Sequence, residues 1–223
     1  MSQIKFGTSG WRGILAEDFT LENVRVVVQA IADFLKDENS GSRGLVIGHD
    51  SRFFGERFAR ETARILAGSG VPSFLCKDDT PTPVIAYEIM RRVTAGAINF
   101  TASHNPCEYN GIKFSTAWGG PALPEVTAEI ERRANAMLGE VCYRDMPLDQ
   151  AVRSGLVEEI DPMPDYLDAI RKKVDLDAIG RSGMTVIFDP MYGAGRDYVD
   201  SMLVEAGLLV QTINCSRDPV SYT

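Results

Sequence analysis

Runs of four or five apolar residues alternate along the chain with longer stretches in which apolar side chains recur every three or four positions. That is the pattern of strands alternating with amphipathic helices. Behind Thr20, a hydroxyl suited to cap a helix start, Val24, Val27, Val28, Ile31, Phe34 and Leu35 keep helical spacing until Gly41 and Gly44. Leu45 to Gly48 is a continuous apolar run and predicts a strand buried on both faces. Phe58, Thr62, Ile65 and Leu66 form the stripe of a second helix, which stops at Gly68 and Gly70. Ser73 to Cys76 predicts the next strand, the proline-rich run 80–83 breaks the pattern, and a helix follows from about Val84 to Arg92. Gly96 to Phe100 and Gly111 to Ser115 predict strands on either side of a polar loop, Thr101 to Asn110. Val126, Ile130, Ala134 and Met137 mark a further helix.

Residues 144–155 are polar and weakly periodic, which places a domain boundary near position 150. Residues 1–150 read as a complete three-layer α/β/α domain in which helices flank a mixed sheet. Residues 151–223 read as an incomplete second α/β domain of similar build. It holds a helix near Tyr166, Ile170 and Val174, a strand Met184 to Phe188, a turn Asp189 to Gly195, a helix to Ala206 and a strand Leu208 to Ile213. So few strands leave a parallel sheet short of cover, so the chain is expected to be the front part of a longer protein, with the apolar faces Val199–Leu203 and Leu208–Ile213 exposed.

Composition narrows the classes. Apolar residues make up 44% and charged residues 24% of the 223, as in ordinary globular chains and unlike disordered ones. No run approaches the roughly 18 apolar residues of a membrane span, and the first twenty residues show neither a basic nor an apolar signal region. Cys76, Cys107, Cys142 and Cys215 have no C-x-x-C spacing and read as reduced thiols of a cytoplasmic protein. The balance of 23 basic against 31 acidic residues, a net charge of −8, argues against general nucleic-acid binding, so an anionic substrate would need a local basic pocket. With only His49 and His104, a multi-histidine metal site is excluded.

The loop Thr101-Ala102-Ser103-His104-Asn105-Pro106, followed by Tyr109-Asn110-Gly111-Ile112-Lys113, carries the densest chemistry. It follows a predicted strand, where α/β proteins place their ligands. Asn105-Pro106 and Asn110-Gly111 are turn signals that lift Ser103 and His104 into solvent and bring Lys113 back on the next strand. Hydroxyl, imidazole and ammonium within eleven residues suit the handling of a phosphoryl group. The same types also make an ordinary turn whose Ser and Asn cap backbone amides, and both readings fit. A Ser103–His104 hydrolase dyad is set aside: neighbours in an extended chain point to opposite sides, and no G-x-S-x-G elbow is present. The Gly193-Ala194-Gly195 turn lacks the third glycine and the acidic residue of a dinucleotide site and reads as close helix–strand packing. Asp50 and Arg52, two positions apart after a strand, read as a pair that locks a loop, and His49 as a satisfied strand-end histidine.

Phe6-Gly7-Thr8-Ser9-Gly10-Trp11-Arg12-Gly13, taken with the 101–106 and 110–113 motifs, resembles the α-D-phosphohexomutase family, which includes phosphoglucomutase and phosphomannomutase. Gly48 to Arg52 and Asp189 to Gly195 match it more weakly. The resemblance implies that Ser103 carries a phosphoryl group in the resting enzyme and that Arg12 offers it a planar bidentate fork. It implies Lys113 as an acid/base group at the sugar hydroxyl or as a binder of the moving phosphoryl group. His104 would hydrogen-bond phosphate or brace the loop. The implied activity of the parent protein interconverts hexose 1-phosphate and hexose 6-phosphate of glucose or mannose through a bisphosphorylated sugar. Phosphoglucosamine mutase and a non-catalytic sugar-phosphate-binding module are the alternatives. Mg²⁺ would bind an oxygen of the phosphoserine and three aspartates of a D-G-D-x-D-R loop, with glucose 1,6-bisphosphate as activator. No D-x-D-x-D occurs among the 223 residues, so those ligands, and domains III and IV, are expected outside this chain. These residues alone are expected to catalyse nothing.

Overall fold

The computed structural model describes residues 3–7, 10–140 and 142–218. Helix α1 (Leu21–Asp37) starts where Thr20 Oγ1 accepts the Asn23 N–H at 3.2 Å. Strand β2 (Leu45–His49) is buried throughout, as its continuous apolar run predicts, and it lies at the centre of a six-stranded sheet. The sheet order is β1 (Trp11–Ile14), β5 (Tyr109–Thr116), β4 (Gly96–Phe100), β2, β3 (Ser73–Cys76) and β6 (Val157–Ile160). The β1–β5 and β5–β4 pairs are antiparallel, and the pairs β4–β2, β2–β3 and β3–β6 are parallel.

Alternation along each strand decides which layer a side chain enters. Leu45, Ile47, Ile98, Phe100, Ile112 and Phe114 face α1, α2 (Gly55–Gly68) and α4 (Pro124–Met137). Val46, Cys76 and Ala97 face α3 (Thr82–Arg92). In the larger core, Phe58 of α2 stands 5.0 Å from Phe19 and 5.6 Å from Phe100, centroid to centroid, and Trp11 lies 4.6 Å from Phe19. Burying each such ring contributes about 1.5–3 kcal/mol.

Two strands were not legible from periodicity. β1 lies in the glycine-rich start. β6 lies beyond the boundary expected near 150, yet Ser73 to Cys76 pair with Val157 to Ile160, so the first sheet continues to Ile160. Its two central glutamates break the apolar run that would have signalled it. At a sheet edge that pattern is tolerated: Val157 enters one core, Ile160 the other, and Glu158 reaches Arg92 at 3.3 Å. The short helix α5 (Leu148–Arg153) leads into this strand and sits against α2.

The second unit holds α6 (Met163–Arg171), α7 (Leu176–Arg181), β7 (Thr185–Phe188), α8 (Val199–Glu205) and β8 (Leu209–Thr212), with β7 and β8 paired in parallel. Leu167, Tyr198 and Met202 pack on Val84 of α3, and the Arg91–Asp165 ion pair at 2.9 Å adds a polar clasp between the two units. Met202 is therefore covered, although the segment 199–203 was expected to be exposed. Leu208 is covered too, against the same expectation. Val199, Leu209 (70%) and Ile213 are exposed as expected, and Ile187 (67%) joins Leu209 on one face of the small sheet.

Candidate active site

Lys113 and Asn99 are cross-strand partners on β5 and β4, and both project to the α3 side because their neighbours Ile112, Phe114, Ile98 and Phe100 fill the other core. Arg12 on β1 projects to the same side, opposite Gly111. A Cβ at position 111 would stand 3.0 Å from Arg12 Cγ and 2.6 Å from the Thr101 carbonyl oxygen. Only glycine lets the arginine stem cross β5 there. Its Nη1 ends 2.6 Å from Asn105 Oδ1. Gly10 is required for a different reason: its φ of +117 is left-handed, and a Cβ would lie 2.3 Å from the Ile112 carbonyl oxygen.

The 101–108 loop is built around Ser103, whose φ of 58 places it in the left-handed region. Its N–H donates to Thr101 Oγ1 at 3.0 Å, and the Asn105 N–H closes a turn onto the Ala102 carbonyl at 3.1 Å. From beneath, Arg52, only 1% exposed, donates to four loop carbonyls: Ser103 (3.0 Å), Asn105 (2.5 Å), Pro106 (2.9 Å) and Tyr109 (2.9 Å). A buried carbonyl without a partner costs about 1–3 kcal/mol, so this one guanidinium replaces the ladder that an irregular loop lacks. Asp50 holds the arginine in turn, accepting its N–H at 3.0 Å and standing 3.5 Å from its Nε. The reading of Asp50 and Arg52 as a loop lock agrees with these contacts.

The turned backbone also revises the geometry expected for Ser103 and His104. In an extended chain they would diverge, but with Ser103 left-handed its Oγ lies 3.4 Å from His104 Nδ1. Lys113 is half-buried; burial, with Arg12 adding to it, lowers its pKa from 10.5, and Asp50 pulls the other way. Burial raises the Asp50 carboxyl, against a hydrogen bond from Thr101 and the charge of Arg52. Asp50, Ser103 and His104 face Pro190, Met191 and Gly193 of the second unit across a cleft of about 300 Å³. Lys113 lines a separate cavity of about 230 Å³ with Gly10 and Thr82.

Sequence reasoning did not place the 190–194 turn at this cleft. Its residues Met191 (φ 52) and Tyr192 (φ 59) are left-handed, and Arg196 fixes the turn by donating to the Tyr192 and Gly193 carbonyls and to Asp79. Asn105 was seen only as a turn residue, whereas its side chain accepts from Arg12. Thr8 and Ser9 of the glycine-rich motif lie outside the described residues.

Residues 3–138 match the family description "Phosphoglucomutase/phosphomannomutase, alpha/beta/alpha domain I", and residues 164–221 match "alpha/beta/alpha domain II" of the same family. The chain belongs to the phosphoglucomutase/phosphomannomutase family. It is 30% identical to a phosphoglucomutase of Komagataeibacter xylinus over 97% of this chain and 41% of that protein. It is 33% identical to a Pyrococcus abyssi protein assigned as a phosphoglucosamine mutase, over 97% of this chain and 44% of that one. A solved structure from Thermus thermophilus, assigned as a phosphomannomutase, superposes with a TM-score of 0.87 at 31% identity, covering 98% of this chain and 47% of its own. The chain thus spans under half the length of these relatives.

As a phosphoglucomutase/phosphomannomutase family chain, it presents the serine loop of domain I toward domain II. The oxygen donors a hard cation needs are not gathered beside it: no group of three or more His, Cys, Asp or Glu side chains that could hold a metal occurs among the described residues. The residues present therefore do not by themselves fit the magnesium site that the resemblance implies. No helix among the described residues is long and apolar enough to cross a membrane.

Proposed function

We propose that this chain is the amino-terminal part of a phosphohexomutase that interconverts the 1- and 6-phosphates of glucose or mannose, with Ser103 as its phosphoryl carrier. The observation that carries the reading is the loop itself: a left-handed serine, exposed at the domain I–domain II cleft, on a backbone held by a buried arginine. In the forward step the bond between phosphorus and Ser103 Oγ breaks as phosphorus bonds to the sugar hydroxyl oxygen, and Oγ takes up a proton while the sugar hydroxyl gives one up. The bisphosphorylated sugar then turns over and returns its other phosphoryl group to Ser103.

The chain's own residues fit the demands of that transfer, which are charge neutralisation and positioning. Arg12 supplies a fixed cation with planar donors. Lys113, its pKa lowered by burial and by Arg12, gives up its own proton at a lower pH than a solvated lysine and is better suited to accept the hydroxyl proton. His104 sits within reach of Ser103 Oγ and would steady the phosphoryl oxygens or the loop. Magnesium and glucose 1,6-bisphosphate belong to the reading as cofactor and activator, the ion's carboxylate donors and the sugar-binding domains III and IV coming from outside residues 1–223. The cytoplasm is the compartment it implies, in keeping with four unpaired cysteines. The Pyrococcus relative favours glucosamine phosphate as a second substrate reading.

The test is phosphate mapping. Full-length protein treated with glucose 1,6-bisphosphate should carry a single phosphate on the peptide containing Ser103, and Ser103→Ala should abolish turnover without altering the fold. A phosphate on Ser9 or Ser115 would overturn the assignment. Comparing glucose, mannose and glucosamine 1-phosphates as substrates separates the two substrate readings.

A further inference from the structure

We propose that Arg52 is a positioning residue for phosphoryl transfer: by drawing loop carbonyls inward it turns main-chain N–H groups outward, toward the side where a phosphoryl group on Ser103 would be received. The proposal rests on the phosphoryl-carrier reading of Ser103. It begins from the four carbonyl contacts of one guanidinium, Nη2 to Ser103 and Asn105 and Nη1 to Pro106 and Tyr109, at 2.5–3.0 Å. There are no cis peptide bonds among the described residues, so each peptide N–H points opposite to its carbonyl. With the Ser103 and Pro106 carbonyls drawn down to Arg52, the His104 and Cys107 N–H groups point away from it. Neither donates to another main-chain carbonyl among the described residues. Outward N–H groups of this kind form anion-binding concavities and carry fixed partial positive charge.

Charge matters as well as geometry. Arg52 is buried, and Asp50 stands against its Nε at 3.5 Å while also accepting its main-chain N–H. The guanidinium is thereby fixed in one orientation, with both Nη groups committed to the loop and Nε facing Asp50. It does not reach the phosphoryl group itself. It acts through the backbone of Ser103, which it helps to hold in the left-handed conformation. Lysine could not reproduce this: an ammonium has three donors at a single point, and the four carbonyls are spread along a loop from 103 to 109.

The experiment uses full-length protein carrying Arg52→Lys or Arg52→Gln. Two readings are taken: amide hydrogen exchange across 101–110, and kcat and KM for hexose 1-phosphate. Exchange in the loop should rise about tenfold or more in both variants while the rest of domain I keeps its protection. The value of kcat should fall about 10²-fold with KM within about twofold, the scale of losing preorganised donors, and Arg52→Lys should retain more activity than Arg52→Gln. A purely structural role would instead raise exchange throughout domain I and lower the yield of active enzyme without this kcat-selective effect, which would overturn the proposal. So would a loosened loop with wild-type kcat, or an unchanged loop in both variants. If Arg52→Gln does not fold, Arg52→Lys alone decides by the same criteria. If the wild-type protein itself shows neither turnover nor phosphate on Ser103, the mutase reading fails, while the exchange data still decide whether Arg52 holds the loop.

Discussion

Arg12 and Asn105, 93 positions apart, are joined at 2.6 Å, Nη1 to Oδ1, so the edge strand β1 is pinned to the serine loop by the same side chain proposed to neutralise the phosphoryl group. Lysine at position 12 would keep the charge but could not hold Asn105 and offer a planar pair of donors together. Arg12→Lys should lower kcat of the full-length enzyme by roughly 10²–10³. Thermal unfolding should shift little, because β1 pairs with β5 along its whole length. Turnover within about twofold of wild type would remove Arg12 from the proposed chemistry.

The lowered pKa of Lys113 has identifiable causes that can be removed one at a time. Following its side-chain NMR signals against pH should show titration below 10.5. Arg12→Gln should move the midpoint up, and Asp50→Asn should move it further down, because the first removes a repelling charge and the second an attracting one.

Linkage gives that shift a sign in stability. The unfolded chain binds the Lys113 proton more tightly than the folded one, so wild type should gain stability relative to Lys113→Met as pH rises from the lowered value to 10.5. If Lys113 takes the sugar proton, its replacement should also flatten the corresponding limb of the pH–rate profile. An unchanged profile would leave it as a phosphate binder.

Phe58 joins the α2 turn to the larger core, since it packs between Phe19 and Phe100 and also against Phe54 in the turn that opens α2. Phe58→Ala should cost about 3–5 kcal/mol, read as a lower urea midpoint with an unchanged slope. A loss under about 1 kcal/mol would mean that the site collapses around the gap.

Ile187 and Leu209 project from the same face of the β7–β8 sheet at 67% and 70% exposure. Residues 1–223 produced alone should associate at micromolar concentration in sedimentation velocity. Ile187→Lys with Leu209→Lys should reduce that association and change unfolding stability by no more than about 0.5 kcal/mol per site. Equal association in the double variant would place the sticky surface elsewhere.

Much of the fold was legible because strand and helix periodicities are local. The 45–49, 73–76 and 96–100 strands and the helices from 21, 55, 82 and 124 follow from apolar spacing, proline and glycine. The candidate serine, histidine and lysine were legible for the same reason: they lie within eleven contiguous residues bounded by turn signals. Strand β6 was not, because Glu158 and Glu159 are acceptable only at an edge, and which strand is an edge is a property of the assembled sheet.

The amino-acid order by itself determined which groups could do chemistry; the tertiary structure decided how they are aimed. The approach of Ser103 to His104 depends on a left-handed φ that no periodicity encodes. The hold on that φ comes from Arg52, about fifty positions earlier, and the far wall of the cleft comes from 190–194, nearly ninety positions later. Local propensity acts over a few residues through backbone sterics and hydrogen bonding. A buried guanidinium finding four carbonyls is instead decided by the packing that brings β2 and β4 side by side.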